Sequence, residues 1–107
     1  MAKLIRKFEL PNNFTCNIGN STVISVYDDK ITFGNDKFLF KYVVAVRPSK
    51  ERDGFIMELE DGIYNPIITE KIVTMHISGH GLFAKGKAKK FGMEIYTILY
   101  SAITNQQ

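Results

Sequence analysis

The apolar residues of this chain change their period once, and the change falls at Gly79-His80-Gly81. Before it they recur at about every second position; after it, Phe91, Ile95, Ile98, Leu99, Ala102 and Ile103 recur at three- and four-residue spacing. Alternation sets one face of a strand against a core, whereas the three-four spacing makes the stripe of an amphipathic helix. The order therefore demands strands first and one helix last. A chain of 107 residues is a single domain over 1–107, too short for two independent cores. The predicted fold is α+β and mostly β. About seven antiparallel strands form a bent sheet or partly open barrel, and one C-terminal helix caps it because its stripe cannot be buried alone.

Residues 3–10 alternate imperfectly, with Leu4, Phe8 and Leu10 on one side, and end at Pro11-Asn12-Asn13. Residues 22–34 read as a hairpin turning at Asp28-Asp29-Lys30. Residues 37–47 carry Phe38, Phe40, Tyr42, Val44 and Val46 at period two, predicting one long strand with one apolar face. Pro48 to Gly54 is polar and predicts a loop projecting into solvent. Phe55, Met57 and Leu59 alternate with Glu58 and Glu60, and Asp61-Gly62 signals a hairpin turn. Residues 63–68 form a strand that Pro66 confines to an edge or a bulge. Residues 71–78 place Val73, Met75 and Ile77 on one face. The helix is expected over about 87–104, after Gly86, with Gly92 weakening it by about 1 kcal/mol relative to Ala.

Two stretches carry a family resemblance. Val23-Ile-Ser-Val-Tyr-Asp-Asp-Lys-Ile-Thr-Phe33 resembles the early hairpin of bacterial pleckstrin-homology-like (PH-like) domains, and His76 to Ile103 resembles their last strand, loop and capping helix. The resemblance implies a seven-stranded bent barrel closed by a helix. It implies no ligand. Lipid-binding eukaryotic members use a basic pocket in the first hairpin loop, and here that loop offers Asp28, Asp29 and a single Lys30; the tryptophan common in their helix is missing. One superfold hosts many functions.

Charge and cysteine content narrow the function classes. The net charge is +3, far from the density of a protein that coats nucleic acid nonspecifically. Cys16 stands alone, so no intrachain disulfide forms; its plain role is that of a small, partly buried apolar residue in a reducing compartment. The N-terminal residues never open into the roughly 7–15 apolar residues of a secretory signal. No stretch reaches the roughly 20 residues of a membrane span. A cytoplasmic protein, not integral to a membrane and bacterial or phage-like in composition, is expected.

Catalysis finds little support. His76 and His80 are the only imidazoles, and their spacing straddles a strand and a turn without a third ligand, so no metal is expected. Gly79 to Gly86 has the glycines of a phosphate loop but lacks its Gly-Lys-Ser/Thr ending, and no cofactor is expected. Two basic clusters remain. Lys85, Lys87, Lys89 and Lys90 gather at the helix start, where cations oppose the helix dipole and where an anion would meet them. Phe83 is the aromatic beside them. Arg47, Lys50 and Arg52 lie on or next to the polar loop, diluted by Glu51 and Asp53, and suit recognition of a protein. The leading expectation is a noncatalytic interaction module that binds a protein or peptide partner, with homo-oligomers admitted. The alternative is an anionic ligand, a phospholipid headgroup or a nucleic acid, held by the Lys85–Lys90 cluster.

Overall fold

The computed structural model describes residues 2–60 and 72–106. Strands β1 (Leu4–Glu9), β3 (Val23–Tyr27), β4 (Lys30–Phe33) and β5 (Asp36–Leu39) form one antiparallel sheet in the order β1-β3-β4-β5. Strands β2 (Phe14–Cys16), β6 (Val43–Pro48), β7 (Gly54–Leu59) and β8 (Ile72–Gly79) form a second in the order β2-β8-β7-β6. Among the described residues a single α-helix, α1 (Ala84–Thr104), follows and lies across β7 and β8. The fold is α+β and mostly β, as the change of period requires. Among the described residues the sheets do not close into a barrel. The strand expected over 63–68 and the turn at Asp61-Gly62 lie outside the described residues.

The long strand expected over 37–47 is two strands. A 3-10 turn at Phe40–Tyr42 interrupts it and hands the chain from one sheet to the other. On the near side the Phe40 N–H donates to the Asp29 carbonyl at 2.9 Å; on the far side the Tyr42 carbonyl accepts from the Glu60 N–H at 3.0 Å. A bulge between Val43 and Ala45 then shifts the phase again. Phe38 and Phe40 are consequently buried, while Val44 is 60% exposed on β6. A second bulge, between Leu4 and Arg6, removes Leu4 from the face that buries Phe8. Strand β2 lies just past Pro11-Asn12-Asn13, where the polar tripeptide conceals the alternation of Phe14 and Cys16.

Phe33 lies at the centre of the core, edge-on to Phe38 at 5.9 Å and tilted against Phe55 at 6.4 Å. Phe14 packs edge-on to Phe91 of the helix, their centroids 5.4 Å apart. The helix begins a turn earlier than its large apolar residues suggest, because its first buried positions are small: Ala84, Ala88 and Gly92. Their four-residue spacing lays a thin stripe against the strands, and Ile95, Leu99 and Ala102 continue it.

Cys16 is fully buried, and burial pushes its thiol pKa up against opposing hydrogen bonds from the Ile18 backbone and the Ser21 hydroxyl. A protonated, covered thiol is inert. Ellman's reagent should leave native protein untouched and titrate one thiol after denaturation; rapid native reaction would contradict this packing.

Candidate functional site

The corner between β8 and α1 gathers the features with chemical potential. Asn13 holds its base: the Asn13 side-chain amide donates to the His80 carbonyl at 2.8 Å, and the His80 N–H donates to the Asn13 carbonyl at 2.9 Å. The Ala84 N–H then donates to the Gly81 carbonyl at 3.3 Å. Between these anchored points Leu82 and Phe83 project into solvent, 90% and 75% exposed. No side chain caps the helix, and no acidic residue occupies its first turn.

All four cluster lysines are exposed on the first two turns of α1. Helical geometry divides them, since side chains rotate by about 100° per residue. Lys85 and Lys89 share one flank, over an open cleft that Glu51 and Asp53 also line. Lys87 and Lys90 share the other, over a cleft lined by Arg6, Lys7, Glu9, Phe91 and Glu94. In that second cleft Arg6 pairs with Glu94, and Lys7 pairs with Glu9 at 3.2 Å. The acids there are engaged, so Lys87 and Lys90 carry the uncompensated charge; neither is ion-paired with another described residue. The contiguous cluster is thus two flanks, and the Lys87–Lys90 flank is the more positive.

The second basic cluster does not join the first. Arg47 lies on β6, and Lys50 and Arg52 lie in the turn between β6 and β7; all three are exposed. That turn is closed by internal hydrogen bonds, and its tip residues Lys50, Glu51 and Arg52 are exposed. The Ser49 N–H donates to the Gly54 carbonyl at 3.0 Å, the Arg52 N–H to the Ser49 carbonyl at 3.0 Å, and the Ser49 hydroxyl to the Asp53 carboxylate at 3.2 Å. It turns its acidic residues, not its basic ones, toward α1.

His76 occupies the exposed face of β8, its N–H donating to the Asn17 side-chain oxygen at 2.8 Å, and His80 is exposed in the turn. Among the described residues no three His, Cys, Asp or Glu side chains converge on a common point. Cys16, the chain's one thiol, is sealed in the core. Sequence reasoning had marked Phe83 and missed Leu82. The signal was available: two adjacent large apolar residues that belong to neither the strand alternation nor the helical stripe.

Among the described residues no helix is long and apolar enough to cross a membrane. Comparison with known proteins gives no match to a family model, to a curated protein or to a solved structure.

Proposed function

We propose that this chain is a noncatalytic binding module for an anionic partner and that the β8–α1 corner is the surface it uses. The observation that carries the reading is the charge imbalance there: Lys87 and Lys90 stand exposed beside acids already engaged with Arg6 and Lys7. Lysines at a helix N-terminus cost a few tenths of a kcal/mol each, a cost that a bound anion reverses. A cytoplasmic setting belongs to the same reading, supported by the unpaired, buried Cys16. The PH-like kinship is kept on the order of elements alone, strands first and a capping helix last.

The test is binding to a single-stranded DNA oligonucleotide and to phosphatidylserine vesicles at low and physiological salt. Polyanion binding through these lysines should weaken steeply with salt, because each neutralised phosphate releases counterions. Lys87→Glu/Lys90→Glu should weaken binding to both probes. Unchanged binding by the double variant would remove the corner from consideration.

A protein or peptide partner is the second reading, favoured by β6. This strand has one neighbour among the described residues, exposes Val44, and leads directly into the turn bearing Lys50 and Arg52. An open strand edge can pair with an added strand.

A further inference from the structure

We infer that the anionic partner is a phospholipid bilayer, entered by Leu82 and Phe83 while the surrounding lysines contact its headgroups. This rests on the corner being the binding surface, but a different observation carries it. Leu82 and Phe83 are the two most exposed large apolar residues among those described, and they sit side by side. Both protrude from a frame fixed by the Asn13–His80 hydrogen bonds and by the start of α1.

The geometry of the pair discriminates between occupants. Two such side chains offer on the order of 400 Å² at most, against roughly 800 Å² per partner, polar surface included, in a standard protein interface. A bilayer imposes no minimum area, because each apolar group that reaches hydrocarbon contributes separately. Nucleic acid would use the phenyl ring for stacking but gives the Leu82 side chain no apolar phase to enter. Charge complementarity fixes the lipid class. Lys85, Lys87, Lys89 and Lys90 follow Phe83 within two helical turns, with chains long enough to reach the headgroup layer while the apolar tip goes deeper. The Lys85–Lys89 flank is tempered by Glu51 and Asp53 and the Lys87–Lys90 flank is not, so the domain should tilt toward the latter.

The chain contains no tryptophan, so Phe83→Trp places a single reporter at the tip. With vesicles of phosphatidylcholine and phosphatidylserine at physiological salt, its emission should shift to the blue and be quenched by brominated acyl chains. Leu82→Ser/Phe83→Ser should weaken vesicle binding on the order of a hundredfold, and Leu82→Ser alone should weaken it by roughly tenfold while leaving binding of the DNA oligonucleotide at low salt intact. Lys87→Glu/Lys90→Glu should weaken both, by roughly fivefold or more per lysine on vesicles. Vesicle binding by the serine variant at wild-type affinity, or bound Phe83→Trp with unshifted emission, would overturn insertion while leaving an anion-binding corner in place. DNA binding that exceeds vesicle binding at physiological salt would overturn the bilayer in favour of nucleic acid. Failure of wild type to bind either probe at low salt would overturn the corner as well.

Discussion

Gly92→Ala should destabilise the protein by about 3 kcal/mol, although alanine is the better helix former. A β-carbon at Gly92 would stand 2.1 Å from the Asp53 carbonyl carbon, 2.2 Å from its oxygen and 2.5 Å from the Gly54 nitrogen. These are backbone atoms and cannot rotate aside. Gly54 is no freer, since a β-carbon there would lie 1.9 Å from the Met75 carbonyl oxygen. The helix would have to lift away from the start of β7, loosening the packing of Ile95 and Leu99 beyond it. Gly86 supplies the control within the same helix. It faces open space, so Gly86→Ala should stabilise by about 0.5–1 kcal/mol through helix propensity and unfolded-state entropy. Urea denaturation of the pair should give opposite signs. Stabilisation by both substitutions would mean that the helix does not approach β7 this closely.

Leu99→Ala should cost about 2–5 kcal/mol, a large share of the roughly 5–15 kcal/mol available to a domain. Leu99 is fully buried in the second half of the stripe, next to the equally buried Ile95. Truncation leaves a cavity between the helix and the sheets that a rigid backbone cannot refill. Lys89→Ala, ten residues earlier on an exposed position, should be neutral within about 0.5 kcal/mol. Equal and negligible effects of the two substitutions would remove the docked helix from the account.

The strands and the helix were legible because each large apolar side chain reports its own period. Ile24 and Val26, Phe55, Met57 and Leu59, and Val73, Met75 and Ile77 alternate as they are buried. The handover at Phe40–Tyr42 was hidden because the residues on either side remain apolar whether the chain runs straight or turns. The start of α1 was hidden for the opposite reason. Ala84, Ala88 and Gly92 carry little hydrophobic signal, yet their smallness lets the helix lie close. Gly92, which looks like a flaw in a helix, is what allows the approach. The site was half legible. Four lysines in six residues are plain in the sequence, but their division into two flanks follows only once the helix is known to include Lys85. Which flank keeps its charge depends on Glu94 pairing with Arg6, 88 residues away in sequence.

The central claim is that the β8–α1 corner is the surface that meets the partner. Amide chemical-shift mapping of uniformly labelled protein, titrated with small anionic phosphatidylserine bicelles, tests it most directly. The account predicts that the largest perturbations fall at His80 to Phe91, with weaker ones at Arg6 and Lys7 across the cleft. Perturbations concentrated on Val43 to Arg52, with the corner unchanged, would contradict it and move the binding surface to the β6 edge.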